Sequence, residues 1–260
     1  MAKQATLMPL APAKIVTGFS KRNSLVYGVS GVGKTHLIGT AQADERLAPV
    51  LNLDFDGGGS TLEGSGVKTE TMQDWQDFND QYELLTSDSK ENIYKTVSLD
   101  STTMLHSFTM FDVADTTRIS EKDQKLENRN PAVYQIMKNK FEQDEYGIAL
   151  NMMQRIIVAF RNLPINTIFT ALADTKVLPR VGSTRVPMVY GKLAEQLPGY
   201  FDGVFYYSSS VNEKTDKTER VLILQNYPGI TCKIRTTWGK IAPDELIDPT
   251  FTSIYNAYGL

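Results

Sequence analysis

Residues Asn23 to Leu37 read NSLVYGVSGVGKTHL. Within them Gly28-Val29-Ser30-Gly31-Val32-Gly33-Lys34-Thr35 fits the pattern G-x-x-x-x-G-K-[ST]. The flanks fit too. Leu25, Val26 and Tyr27 predict a short buried strand, and Thr35 to Ala43 predicts a helix. Glycines in such a turn let successive backbone N–H groups face inward onto phosphate oxygens. The helix start adds free N–H groups and its positive dipole end. Gly28 through Thr35, followed directly by His36, is therefore the candidate nucleotide-binding stretch. Lys34 is expected to reach the β- and γ-phosphates, and the Thr35 hydroxyl to ligate Mg²⁺. A glycine turn that merely precedes a lysine would match by chance at on the order of one per cent, and the strand-turn-helix context lowers that further.

Further along, Pro49 to Asp54 predicts a second strand, running into Asp54-Phe55-Asp56-Gly57-Gly58-Gly59, a carboxylate pair before a flexible turn. Gly66 to Thr69 predicts another short strand. Thr71 is the expected N-cap of an amphipathic helix that buries Trp75, Phe78, Tyr82 and Leu85. Tyr94 to Asp100 predicts a third strand ending in a carboxylate. Alone, Asp100 reads as an ordinary strand-end or N-cap aspartate; downstream of a phosphate loop it is expected to hold Mg²⁺ through water opposite Thr35. A helix over Gly147 to Phe160 leads to a fourth strand, Ile165 to Leu172. That strand ends near Thr170, Asp174 and Thr175, polar groups placed to sense a γ-phosphate. Strands alternating with helices predict an α/β fold with a mostly parallel sheet, helices on both faces and ligand at the strand C-termini.

The segment from Asp174 to Lys192 carries Lys176, Arg180, Arg185 and Lys192 against one acid, Asp174, and is the most basic loop of the chain. Tyr200 to Ser208 and Arg220 to Gln225 predict a hairpin. Thr231 to Arg235 predicts a short strand with Lys233 and Arg235 on one face. Asp244 to Leu260 predicts a closing helix. Residues 1–13 read as a mobile arm and 14–260 as a single domain. The stretch 115–146, with six basic and seven acidic residues, reads as a solvated insertion.

Composition narrows the function classes. The net charge of −3 gives no whole-chain argument for nucleic-acid binding, so any such site must be a local patch. The single cysteine, Cys232, excludes an internal disulfide and suits a reducing cytosol. With only His36 and His106 besides it, a histidine–cysteine metal cluster is not expected. No apolar run approaches the roughly 20 residues that span a bilayer, and the N-terminus lacks the apolar core of a signal peptide; no membrane partner is expected. A GTPase reading would rest on Asn139-Lys140-Phe141-Glu142, a near miss to N-K-x-D that precedes a helix, and on a loose D-x-x-G at Asp54 to Gly57. A phosphotransferase remains open, with the 174–192 segment as a lid.

The chain resembles the RecA-like ATPases encoded by bacteriophages, the group that includes the Sak-type single-strand annealing proteins. The matching residues are Val26 through Thr35, Leu53-Asp54-Phe55-Asp56-Gly57-Gly58 and Lys95-Thr96-Val97-Ser98-Leu99-Asp100-Ser101. Glu145-Tyr146-Gly147, Leu163-Pro164 and Gly191-Lys192-Leu193 through Asp202 match as well. The resemblance implies a RecA-like P-loop core with a C-terminal β-hairpin extension, ATP and Mg²⁺ as cofactors, and ATP hydrolysis. It also implies action on single-stranded DNA in phage recombination and head-to-tail self-assembly as a ring or filament. A phage or host single-strand binding protein would be a further partner, in the cytoplasm of an infected bacterium. Asp56 falls where RecA-like proteins place a glutamate that polarises the attacking water, one methylene shorter here; Asp54 is the alternative base. Lys34, Asp100 and Thr170 complete the implied catalytic set. Lys233 and Arg235 resemble the paired cations such proteins insert into a neighbour's site, against the bland reading of a solvated strand face. Lys176, Arg180 and Arg185 would contact DNA phosphates. A nucleotide-gated binding module with negligible turnover is the principal alternative.

Overall fold

The structure, a computed structural model, describes residues 21–117, 143–178, 181–189, 191, 193–212, 215–225 and 227–260. The expected arm, most of the charged insertion, Arg180 and Lys192 lie outside the described residues.

The central strand is β1, Asn23–Gly28, buried along its whole length. That burial follows from its composition: an apolar run can sit where both faces of a sheet are covered. Its side chains alternate, so Leu25 and Tyr27 enter one core and Val26 the other. Helix α1, Lys34–Thr40, follows the glycine turn. Strands β2, Val50–Asp54, and β3, Lys68–Thr71, come next, then helix α2, Trp75–Thr86. Asp74, not Thr71, caps α2: its carboxylate accepts from the backbone N–H of Gln76 at 2.8 Å and of Asp77 at 3.0 Å. Thr71 closes β3 instead, so the cap falls on the acid next to the helix.

Strand β4, Thr96–Asp100, leads into helix α3, Thr102–Thr117, and helix α4, Gln143–Asn162, precedes strand β5, Asn166–Leu178. Strand β6, Gly182–Pro187, and helix α5, Leu193–Gln196, follow. The late part holds β7, Gly203–Asn212, β8, Lys217–Ile223, β9, Lys233–Ile234, β10, Glu245–Ile247, and helix α6, Phe251–Ala257. The closing helix is shorter than expected from Asp244. Pro249 precedes it, and Thr250 caps it in a reciprocal box with Ser253.

The sheet runs β10-β8-β7-β1-β5-β4-β2-β3, with β6 paired to β5 and β9 to β7. Pairings among β7, β1, β5, β4, β2 and β3 are parallel. The β7–β8, β8–β10, β5–β6 and β7–β9 pairings are antiparallel. This is the expected mostly parallel α/β fold with a late hairpin. One face is covered by α2, α3 and α4 through Phe78, Tyr82, Leu105, Ile157 and Phe160. The other is covered by α1 and α6 through Leu37, Ile38, Phe251 and Ile254. The stretch from Asp174 onward departs from its expectation as a loop. β5 continues past Leu172, where β1 ends, and returns as β6 in a regular hairpin beyond the C-terminal edge of the sheet.

Candidate functional site

The glycine turn is shaped by its neighbours. A Cβ on Gly28 would stand 2.1 Å from the carbonyl oxygen of Tyr207 on β7, so only glycine lets β7 run this close. Gly33 ends the turn at φ 101, a left-handed conformation that favours glycine, and its carbonyl accepts the first α1 hydrogen bond from Leu37. Lys34 is buried, and its Nζ donates to the carbonyls of Gly28 at 3.1 Å and Val29 at 3.0 Å. Its pKa is lowered, chiefly by burial, while the charges of Asp100 and Asp56 oppose the shift. The ammonium therefore lies across the mouth of the loop, facing acids, ready to exchange carbonyl contacts for phosphate oxygens. His36 is exposed on the first turn of α1.

Two strands, β2 and β4, deliver the acids, and β5 adds a hydroxyl. Asp100 closes β4 and is buried, and the Thr35 hydroxyl donates to its Oδ2 at 2.6 Å. Its Oδ1 accepts from the Thr170 hydroxyl on β5. Thr170 is itself buried, so it meets the site through Asp100 and not as an exposed sensor. Asp174 and Thr175 stand further out on the hairpin, where Thr175 Oγ1 accepts from the Arg185 guanidinium at 2.7 Å.

Asp54 and Asp56 divide into two roles. The Asp54 carboxylate accepts from the backbone N–H groups of Asp56, Gly58 and Gly59, at 3.0, 3.2 and 2.8 Å. It is buried under the loop that it shapes, an arrangement that leaves it poorly placed to take a proton from water. Asp56 Oδ1 accepts from the Ser101 N–H and hydroxyl, both at 3.0 Å, which ties the loop to the end of β4. The Asp56 pKa is raised, first by burial, with Asp100 adding to the shift and the Ser101 hydrogen bonds opposing it. A carboxylate with a raised pKa beside a phosphate site suits a general base better than an ordinary aspartate does. The adjacent Phe55 ring packs on Phe78 and Phe108, so the loop is anchored to the core.

Among the described residues no group of three or more His, Cys, Asp and Glu gathers to hold a metal alone. The Thr35–Asp100 pair is the kind of donor set that Mg²⁺ uses, one carboxylate and one hydroxyl, with water and substrate phosphates completing the shell. The residues present thus fit a Mg²⁺-bound triphosphate.

Lys176 and Arg185 both lie on the β5–β6 hairpin, Lys176 donating to the Gly191 carbonyl at 3.1 Å. Lys233 and Arg235 lie elsewhere. β9 pairs with the first residues of β7, which lie beside Ser24 and Leu25. That is four strand residues, roughly 13 Å, from the Gly28 end. Arg235 forms an ion pair with Asp202 at 3.5 Å. These cations therefore lie toward the opposite end of the sheet from their own phosphate loop.

Two contacts had no signal in the sequence. Ser101 stood in the matched stretch without a role. Arg220, inside an apolar strand pattern, donates from Nε to the Val32 carbonyl of the phosphate loop at 3.3 Å.

A family model described as an AAA domain, AAA_24, matches residues 20–236. Among solved structures, the chain is similar to a KaiC-like protein from the hyperthermophilic archaeon Pyrococcus horikoshii OT3. Identity is 16%, covering 78% of this chain and 77% of that one, with a TM-score of 0.38. No curated protein matches the chain. No helix among the described residues is long and apolar enough to cross a membrane.

Proposed function

The chain belongs to the AAA domain family of P-loop ATPases, and from that premise we propose that it couples ATP turnover to single-stranded DNA in phage recombination. Its fold is the RecA-like arrangement, with β5 lying between the phosphate-loop strand β1 and the acid-bearing strand β4. The observation that carries the ATPase reading is the 2.6 Å contact of Thr35 with Asp100 at the foot of the phosphate loop.

In this reading Lys34 turns from the Gly28 and Val29 carbonyls onto the β- and γ-phosphates. Thr35 and Asp100 hold Mg²⁺, which when bound offsets charge on the phosphate oxygens. Thr170 fixes the Asp100 carboxylate. Asp56 takes a proton from the attacking water, and Ser101 orients it.

The DNA part is supported by placement. The hairpin carrying Lys176 and Arg185 grows out of β5, the strand whose Thr170 bonds Asp100. A change at the phosphates is one strand away from the basic hairpin. Lys233 and Arg235, placed toward the opposite end of the sheet from their own loop, suit a role in a neighbouring copy in a head-to-tail assembly, where a cation would stabilise charge on the transferring phosphoryl group. A gated module with negligible turnover has one observation in its favour: Asp56 is short and already bonded twice by Ser101.

Phosphate release from ATP, measured with single-stranded DNA, with duplex and with neither, separates the readings. Turnover stimulated by single strands is the expected result. Nucleotide-dependent DNA binding without phosphate release would favour the gated module, and phosphate release indifferent to DNA would remove the DNA role.

A further inference from the structure

Arg220 sits on β8, against the phosphate loop of its own chain. β7 runs parallel to β1 with Tyr207 beside Gly28, and β8 returns with Leu222 beside Tyr207 and Arg220 beside Ser209. The hairpin therefore continues past the end of β1 and flanks the loop. Alternate strand residues share a face, so Arg220 projects to the side of Leu222, which packs with Val32 and Leu37. Besides the Nε contact to Val32, a Cβ on Gly33 would meet that same Nε at 3.2 Å.

The Arg220 backbone is held from the other side. Its N–H donates to Asp248 Oδ1 at 3.0 Å, and the Asp248 N–H donates to its carbonyl at 2.7 Å. Asp248 adopts φ 43, a left-handed conformation that aspartate enters more readily than most residues, at some strain. The side chain is exposed. The Arg220 Nε contact, to a neutral carbonyl, engages a single donor out of five.

The flank decides the role. Asp100, Asp56 and Thr170 all lie on the β5–β4–β2 side of β1, whereas β7 and β8 lie on the other. With the γ-phosphate facing those acids, the β7–β8 hairpin is the flank left for the other end of a nucleotide. We propose that Arg220 is a specificity-determining contact for the nucleoside end of the bound nucleotide, leaving the Val32 carbonyl to pack its guanidinium against sugar and base. A planar, weakly hydrated cation stacks on the π-face of a base where an ammonium does not. This rests on the ATP-binding reading.

Calorimetric titration with ATP, ADP and inorganic tripolyphosphate, in the presence of Mg²⁺, tests it on wild type, Arg220→Ala and Arg220→Lys. In Arg220→Ala, ATP and ADP should each weaken about tenfold, about 1.4 kcal/mol, with tripolyphosphate unchanged. Arg220→Lys should recover only part of the loss. Equal weakening of all three ligands would make Arg220 a brace of the loop and overturn the proposal. ATP bound equally by wild type and Arg220→Ala would overturn it alone. A wild type that binds neither ATP nor tripolyphosphate would overturn the ATPase reading and this inference with it.

Discussion

Thr35 and Asp100 stand 65 positions apart in the chain, yet the hydroxyl of one donates to the carboxylate of the other at 2.6 Å. The contact joins the first turn of α1 to the end of β4 across the intervening strand β5. Thr170, on β5, donates to the second oxygen of the same carboxylate, so Asp100 is aimed by hydroxyls from two elements. Removing an outer partner of a metal-binding carboxylate commonly weakens metal affinity by 10–100-fold. Thr170→Val keeps the side-chain shape and should weaken Mg²⁺-dependent ATP turnover by about that factor, read as a shift in the Mg²⁺ concentration for half-maximal rate.

Asp56 sets a second expectation. A base must be unprotonated to act, and burial raises the pKa of this one. The acid limb of the pH–rate profile should therefore lie above that of an ordinary aspartate, with activity lost as pH falls through it. Asp56→Asn should lower turnover by about 10²–10⁴-fold while ATP still binds. Ser101→Ala removes a hydrogen bond that opposes the shift, and should move the acid limb further upward.

The β5–β6 hairpin predicts an electrostatic signature. Lys176→Ala with Arg185→Ala should weaken single-strand binding for every sequence alike. The slope of log affinity against log salt should fall by roughly 1.4, about 0.7 per lost phosphate contact. ATP affinity should not change, because neither side chain touches the phosphate loop. An unaltered salt slope would take the hairpin out of the DNA interface.

Acid stability has two separate windows. Burial pushes His106 down to about 4, so between its ordinary value and about 4 the unfolded chain binds the proton first. Stability from His106 is fully present above pH about 6.5 and is lost as pH falls toward 4. His106→Gln should flatten thermal stability across that interval. Asp44 is held at about 2, mainly by its hydrogen bond from Arg46, which also reaches Asn256 and the Leu260 carbonyl. Its contribution is present above about 4 and is lost as pH falls toward 2. Arg46→Ala should cost about 1 kcal/mol at neutral pH, since the partly exposed guanidinium is screened by solvent.

Much of this site was legible in the chain because its signals are local. The glycine turn of Gly28–Thr35 needs a strand before it and a helix after it, and both show in the apolar pattern. Asp100 was legible because a strand ending in a carboxylate follows the loop at the right place in the order. The difference between Asp54 and Asp56 was not legible, since it depends on which carboxylate the loop folds over. The placement of Lys233 and Arg235 depends on β9 pairing with the start of β7, a long-range register that period two cannot supply. The 174–192 stretch reads as a loop from its glycines, prolines and charges, yet β5 carries its ladder through Asp174 to Leu178 because β6 pairs with it. Arg220 reaches the loop only through the turn of a late hairpin, and its neighbours in sequence give no hint of that contact.

The account stands on a metal-bound triphosphate held between Thr35 and Asp100. ATP affinity measured with Mg²⁺ and with EDTA, for wild type and Asp100→Asn, addresses that claim most directly. Wild type should bind ATP more tightly with Mg²⁺, and Asp100→Asn should lose that gain while keeping its affinity in EDTA. An equal Mg²⁺ gain in the two proteins would contradict the account.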